Sequence, residues 1–171
     1  MSIQSLRLPR LVESDPCGPA LLQSLIACAR PIRTGSEVLV PVVRLEGIES
    51  VVFYAHRAGR VVRGLETAER ALAGEERGLR LADEKSGVAR GGRVSRLLLL
   101  ANDGSDGFYR QVESLLKRHG PRVLAIRLDV DGTGLGEPLF GAGHPARLLM
   151  IQHKEAVAAI LLGIAEQLRN S

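Results

Sequence analysis

The sequence predicts an α/β protein, a three-layer α/β/α sandwich around a mainly parallel or mixed central sheet. An N-terminal helix and a small antiparallel strand unit precede that sandwich. The prediction depends chiefly on the C-terminal half, where continuous apolar runs alternate with amphipathic segments of helical spacing. Such alternation is typical of strands that helices cover on both faces. The composition agrees, because 45% hydrophobic and 25% charged residues are close to the average for globular proteins.

The length of 171 residues favours a single domain over residues 1–171. The sequence shows neither an internal repeat nor a low-complexity tract. Its candidate hinge is the glycine-bearing segment 87–92, which would divide an N-terminal helix and strand unit, 1–86, from an α/β unit, 87–171.

The N-terminal half contains the less regular elements. Apolar residues recur at helical spacing within "GPALLQSLIACA", residues 18–29, and Pro31 ends that helix. The β-branched run 37–45 predicts an edge strand or a bulge, because Pro41 interrupts it. The remaining predictions here are a strand at 49–56, a turn at 57–59 that leads into a short strand, and a short helix at 65–74.

Residues 75–95 are charged and bear several glycines, so they predict either a mobile loop or a helix followed by a basic turn. After them the pattern becomes regular. We expect strands at 96–101, 122–128 and 146–153, and helices at 108–119 and 154–168. Ser105 or Asp106 is the expected N-cap of the first of these two helices.

The charge and the aromatic content limit the classes of partner that are consistent with the sequence. A formal net charge of +4 and a pI near 9.6 suit an anionic partner, because a basic surface attracts phosphate groups at long range. Phe, Tyr and Trp make up only 3% of the residues, which argues against a stacking surface for single-stranded nucleic acid. The core is therefore expected to consist of Leu, Val, Ile and Ala.

The cysteines and the longest apolar run argue against other classes. Cys17 and Cys28 lack the spacing of a zinc site or a disulfide scaffold, so both are expected to be small buried hydrophobes. The N-terminal stretch has prolines and acids where a signal peptide has an apolar region. The run "AVAAILLGIA" at 156–165 is too short to span a bilayer. We therefore expect a cytoplasmic protein without a membrane partner.

Two acidic turns follow predicted strands. Asp103 comes after the strand at 96–101, and Asp129 and Asp131 come after the strand at 122–128. If these strands are neighbours, the three carboxylates would lie within reach of one magnesium ion, which favours such oxygen ligands. The alternative is that these residues and their glycines form turns and helix caps. Beyond magnesium, no cofactor is expected.

Known motifs similar to "DVDGTG", which begins at Asp129, differ from this chain at required positions. Haloacid dehalogenase phosphatases share Asp-x-Asp-Gly-Thr but need further acids for magnesium, and the 40 residues after Asp131 contain no Asp. An EF-hand loop would need a Glu where Phe140 stands. Toprim-like magnesium sites have such a pair of acids, but they also have a Glu where this chain has Asn102-Asp103. A magnesium site therefore stays an alternative interpretation, although the further acids that these motifs require are missing.

A basic, glycine-rich segment precedes the first regular strand. The stretch "GVARGGRVSR", residues 87–96, carries Arg90, Arg93 and Arg96, which is the composition of a loop that contacts phosphates. It lacks the Gly-Lys-Ser/Thr of a nucleotide-binding P-loop. The plainer interpretation is a solvated connector. Neither the histidines nor the serines stand in a motif for nucleophilic catalysis.

The stretch from Gly91 onward combines a strand ending in Ala-x-Asp, a helix, a second strand, a Leu-Gly pair with a glycine nearby, and a last strand and helix. The positions that carry this pattern are Ala101, Asp103, Leu135, Gly136, Gly141 and the strand at 146–151. The pattern resembles the C-terminal part of the kink-turn-binding ribosomal protein superfamily and covers less than half of the chain. The resemblance implies an α/β/α sandwich that binds structured RNA without catalysis.

The chain departs from that superfamily at the main RNA contact. The superfamily carries Gly-x-Asn-Glu at the start of a helix, with a Lys shortly after, where this chain reads "GVARGGR" from Gly87. No RNA-contact residue is therefore carried over. The resemblance supports the fold better than the function, since one fold can host many functions.

Three functions are consistent with these patterns. The leading hypothesis is a non-enzymatic binding protein for RNA or another phosphate-bearing ligand, which uses the three arginines of the basic segment. The first alternative is a magnesium-dependent phosphate-handling enzyme that uses the acidic turns. The second alternative is a self-associating domain, such as a homodimer, in which "AVAAILLGIA" is an interface helix rather than a core helix.

Overall fold

The structure of this protein is a computed structural model that describes residues 3–87 and 92–170, apart from the side chain of Gln4. The strands of this part are β1 (Ala29–Pro31), β2 (Leu39–Val43), β3 (Val61–Arg63), β4 (Arg96–Leu100), β5 (Val123–Leu128) and β6 (Leu148–Ile151). They form one sheet in the order β1-β2-β5-β4-β6-β3. The sheet therefore takes strands from both sides of residue 87.

Helices lie on both faces of that sheet. In the described residues they are α1 (Arg10–Glu13), α2 (Gly18–Ala27), α3 (Glu49–Arg57), α4 (Leu65–Ser86), α5 (Asp106–His119), α6 (Gly132–Phe140) and α7 (Lys154–Arg169). Strands β2, β5 and β4 are parallel to one another, whereas β1, β6 and β3 each pair antiparallel with a neighbour. The predicted α/β sandwich with a mixed sheet is thus confirmed.

The core consists of two apolar layers, one on each face of the sheet. Successive side chains of a strand point to opposite faces. Leu97 and Leu99 of β4 accordingly pack with α2, α3, α6 and α7 on one face. Leu98 and Leu100 pack with α4 and α5 on the other. All four leucines are fully buried, which is why β4 is a continuous apolar run.

Helix α7 holds the run "AVAAILLGIA" and is a core helix. Its buried residues are Ala156, Val157, Ala158, Ile160, Leu161, Ile164 and Ala165. They pack in the layer that also contains α2 and α3. The apolar face of α7 is therefore covered within one chain and is not free to join two copies. Among the described residues, no helix combines the length and the apolar character that a membrane crossing requires.

The predicted strand at 49–56 is wrong, because these residues form helix α3. Val52 and Ala55 are its buried residues, and they are three positions apart, the spacing of one helix face. Phe53 and Tyr54 lie between them and point outward. The preference of β-branched and aromatic residues for strands depends on context, and here the packing of one helix face through Val52 and Ala55 overrides it.

Strand β2 is shorter than the strand predicted at 37–45, and it is the second strand in the order of the sheet. Strand β2 pairs with β1 on one side and with β5 on the other, so it is not an edge strand. Its parallel ladder with β5 begins at Val42, directly after Pro41. The proline, which lacks an N–H donor, therefore precedes this ladder and removes none of its bonds.

Helix α4 does not end near Gly74 but continues to Ser86. Gly74 and Gly78 lie inside this helix, so neither glycine marks a turn, and both have open space around them. The helix ends at Gly87, whose φ of 71° is the left-handed conformation of a C-terminal cap. Of the two alternatives for 75–95, the helix is confirmed over its first part. At about 1.5 Å per residue α4 is about 33 Å long and reaches past the five-residue strand β4.

The C-terminal half follows the prediction with two exceptions. Ser105 is the N-cap of α5, since its hydroxyl accepts a hydrogen bond of 3.1 Å from Phe108 N. The prediction of a glycine turn after Asp131 is wrong, because these residues begin the nine-residue helix α6. The last strand is shorter than 146–153 and spans only Leu148–Ile151.

Candidate functional site

The acidic turns lie at the carboxyl end of the sheet, where β4 and β5 run side by side. The chain leaves β4 towards α5 on one face and leaves β5 towards α6 on the other face. Neighbouring parallel strands with connections on opposite faces open a crevice between their loops, a common ligand position in α/β proteins. Asp103 follows β4, and Asp129 and Asp131 follow β5, so all three lie at this end of the sheet.

Each of these carboxylates is engaged within the fold. Asp103 Oδ1 accepts a hydrogen bond of 2.9 Å from Gly132 N and lies 3.6 Å from Nε of Arg147. Asp131 Oδ1 accepts one of 2.7 Å from Gly134 N and so caps α6.

Asp129 Oδ1, in turn, accepts a hydrogen bond of 3.2 Å from the amide of Asn102. Within residues 3–87 and 92–170, no group of three or more His, Cys, Asp and Glu side chains is placed to hold a metal ion. Bonds to backbone N–H groups are what turn and cap residues make. The magnesium alternative therefore stays a prediction.

The Leu-Gly pair of the suggested resemblance has a packing role beside this crevice. Leu135 is buried, and a Cβ added to Gly136 would overlap the backbone of Pro145 and Ala146. The segment before β6 thus crosses α6 at a point where only glycine fits. Gly141 ends α6 with a φ of 99°, a conformation that other residues rarely adopt.

The arginines of the basic segment lie at the opposite, amino end of the sheet. Arg93 pairs with Glu13 and donates a hydrogen bond of 3.0 Å to Leu8 O, which fastens the N-terminal segment to the start of β4. Arg96 Nε donates a bond of 2.9 Å to Glu75 of α4. Arg90 lies outside the described residues. Both described arginines are therefore held by acids of the same chain.

A partly buried charge cluster joins α4 to this end. Glu75 Oε1 accepts hydrogen bonds from Arg96 and, at 3.0 Å, from Arg122. Glu76 Oε2 lies 3.4 Å from Arg122 Nε and 3.7 Å from Nδ1 of His119. Burial lowers the pKa of His119 below its ordinary value, although the carboxylate of Glu76 opposes that shift. The cluster fixes α4 across the starts of β4 and β5.

Helix α7 begins at the same end. The Nδ1 atom of His153 caps it, accepting a hydrogen bond of 3.2 Å from Glu155 N. Arg60 also points its guanidinium at this nitrogen, at 3.1 Å, and lies 3.8 Å from the Glu155 carboxylate. The unpaired N–H groups and the dipole at a helix start favour a negative charge beside them.

Three adjoining hollows surround the start of α7, with volumes of about 440, 510 and 320 Å³, which is the size of small-molecule sites. The first hollow lies between the N-terminal segment and α7 and is lined by Pro9, Arg10, Leu11, Arg93, Val94, Ser95, Lys154 and Glu155. The second lies under α4 and shares Ser95 and Lys154 with the first. The third lies between α3 and α7 and shares Glu155 with the first.

Two cations of the first hollow are unpaired. Arg10 and Lys154 are both exposed, and neither side chain has an ion pair or a hydrogen bond with any residue of the described part. Leu11 beside them is 57% exposed. Reasoning from the sequence missed both cations. The one available signal was Lys154 itself, because a basic residue in the first turn of a helix opposes the helix dipole.

Comparison with known proteins adds no family, since no protein-family model and no curated protein matches this chain. The resemblance to the kink-turn superfamily stays a prediction. The function is therefore inferred from the chemistry at the two ends of the sheet.

Proposed function

We propose that this protein is a non-enzymatic binding protein whose ligand carries phosphate groups, with RNA as the favoured class. The ligand is received at the amino end of the sheet, around the start of α7. The observation that carries the proposal is that Arg10 and Lys154, which line one hollow beside that helix start, have no ion pair or hydrogen bond with another described residue. A phosphate between them would gain both charges and the favourable dipole at the start of α7, where His153 already accepts the hydrogen bond of the Glu155 N–H.

The charges around the three hollows support a polyanion rather than a single phosphate. Six basic residues and two acidic ones are among the described residues that line the three hollows, which leaves their lining positive. The basic residues are Arg10, Arg60, Arg93, Arg96, Arg122 and Lys154, and the acidic ones are Glu75 and Glu155. The three adjoining hollows, together called the groove, have the charge that suits a nucleic-acid backbone.

The paired arginines have a different part in this proposal. Arg93 and Arg96 hold the walls of the hollows through Glu13 and Glu75, so they shape the groove and add to its field. The direct phosphate contacts are assigned to Arg10 and Lys154. We place this activity in the cytoplasm, a reducing compartment that suits Cys17 and Cys28, which are free thiols, half-buried rather than fully buried.

The test is the affinity of a fluorescently labelled single-stranded RNA, measured by anisotropy over a series of salt concentrations. The double variant Arg10→Ser, Lys154→Ser should bind more weakly. The slope of log affinity against log salt should fall by about 0.7 for each phosphate contact removed. A control with the same loss of charge is Arg44→Ser, Arg70→Ser, which changes exposed arginines away from the hollows.

The proposal requires that the two double variants differ. Equal weakening in both would mean that only net charge matters, and would overturn the assignment of the site. Absence of any binding by the unaltered protein at low salt would overturn the function itself.

A further inference from the structure

Resting on the function proposed above, we further propose that the ligand presents an unpaired nucleobase and that Tyr54 of α3 is the surface on which this base stacks. The ligand would then be a nucleotide unit, either free or within single-stranded RNA. The base would occupy the third hollow and its phosphate the first.

Tyr54 is the most exposed of the large hydrophobic residues in the described part of the chain. Its residue exposure is 70%, although an aromatic ring is among the most favourable groups to bury. The conformation of α3 is the cause, because its inward face is taken by Val52 and Ala55. The chain has only five Phe and Tyr residues, and this one is presented to solvent beside a basic groove.

The third hollow has the volume and the apolar lining that a flat ring needs. Tyr54 stands on the α3 side, and Ala156 and Ala159 stand opposite on α7. Val51, Ala55 and Ala58 complete the apolar lining. Because most of these side chains are small, they leave room for a second planar ring against the tyrosine. Stacking on an aromatic face is the usual way in which proteins hold an unpaired base.

The third hollow adjoins the first hollow, which the two cations line. Glu155 lines both the third hollow and the first, and Lys154 precedes it. Arg60 lies at the polar end of the third hollow and is held there by His153 and by Glu155. A base against Tyr54 and a phosphate at Lys154 would therefore occupy adjoining hollows that share Glu155. The Glu155 carboxylate lies 3.8 Å from Arg60, which lines the third hollow, and it can accept a hydrogen bond from a base amino group there.

Phe53, the neighbouring aromatic residue, does not share this position. It is 41% exposed, and the Arg57 guanidinium covers its ring at 5.8 Å from the centroid. It is not among the residues that line the third hollow. Phe53 therefore serves as a matched control on the same helix.

The test compares a single-stranded oligonucleotide of about eight units, within the usual site size for such strands, with an abasic oligonucleotide of the same length. The unaltered protein should bind the base-bearing strand on the order of tenfold more tightly, as expected for one stacked base. Tyr54→Ala should remove that difference, whereas Tyr54→Phe and Phe53→Ala should retain it. In NMR spectra the Tyr54 ring protons, identified by their loss in Tyr54→Phe, should shift upfield on binding.

The outcomes separate the two proposals. If both strands bind equally, Tyr54→Ala has no effect, and Arg10→Ser, Lys154→Ser still weakens binding, the stacking inference is overturned and the proposed function stands. If neither strand binds, both are overturned. A mononucleotide that binds with the same dependence on Tyr54 would identify the free nucleotide as the ligand, whereas binding of the strand alone would identify single-stranded nucleic acid.

Discussion

The two ends of the sheet both concentrate charge, but they use it differently. At the carboxyl end, Asp103, Asp129 and Asp131 each accept a hydrogen bond that shapes a turn, joins two loops or caps a helix. At the amino end most arginines are also paired, but Arg10 and Lys154 have no partner among the described residues. The carboxylates of the acidic end are thus used in hydrogen bonds within the fold. At the basic end, Arg10 and Lys154 have no such partner in the described part and are available to a ligand.

This difference shows that a charged motif and a binding site are separate properties. The acidic pair "DVD" has the composition of a metal site, yet Asp131 Oδ1 accepts a hydrogen bond from a backbone N–H of α6, and Asp129 Oδ1 accepts one from the side-chain amide of Asn102. The basic end has no recognised motif, yet beside a helix start it presents two cations that have no partner within residues 3–87 and 92–170. What decides is whether the fold leaves a charge without a partner.

The largest expected effect concerns the packing of the carboxyl end. Gly136→Ala should destabilise the protein by about 3 kcal/mol or more, because the added Cβ would overlap the backbone that leads into β6. Urea denaturation measures this change. The control is Gly74→Ala, a glycine of α4 with open space around it, which should be stabilising by about 0.5–1 kcal/mol. Similar stabilities for Gly136→Ala and the unaltered protein would contradict the close crossing.

A smaller effect is expected from the charge cluster of the amino end. Glu75→Gln should cost about 2 kcal/mol of stability, since it leaves the partly buried Arg122 and Arg96 without their shared carboxylate. RNA binding should persist or strengthen, because a negative charge is removed from the groove. The exposed Glu84→Gln on the same helix is the matched control. Loss of binding in Glu75→Gln would mean that the paired arginines depend on this acid to contact the ligand.

The smallest effect is a pH dependence that belongs to the same cluster. The side chain of His119 is only 3% exposed, and burial lowers its pKa below 6.5, against the pull of Glu76 and with the help of Arg122 and Arg118. The unfolded chain therefore takes up a proton near pH 6.5 that the folded state binds less readily. Stability should be complete above that pH and fall below it, by at most about 1.4 kcal/mol per pH unit. Melting temperatures of His119→Gln should show a flatter decline, and an unchanged decline would contradict this role.

The sequence predicted those parts of the fold in which local pattern and burial agree. The strands at 96–101 and 122–128 are buried on both faces, so their apolar runs identify them directly. Ser105 was predicted as a cap because its side-chain oxygen can accept a hydrogen bond from a free N–H of the first helical turn. The prediction failed at 49–56, where β-branched and aromatic residues lie on a helix that exposes half of its surface.

The candidate site could not be predicted in the same way. Arg93 and Arg96 stood out because they are clustered in sequence, but their acids, Glu13 and Glu75, come from distant parts of the chain. Whether a cation is paired depends on such long-range contacts, which no local pattern contains. The composition likewise argued against stacking on aromatic residues, since it shows how few there are and not where they lie.

The most direct measurement compares RNA affinity after changes at each end of the sheet. Arg10→Ser, Lys154→Ser changes the amino end, and Asp103→Asn, Asp129→Asn changes the carboxyl end with little change in shape. We expect the first pair to weaken binding of single-stranded RNA on the order of tenfold, and the second to leave it equal or slightly tighter, because negative charge is removed. A loss of affinity in the aspartate variant, with none in the cation variant, would place the ligand at the carboxyl end and contradict the account.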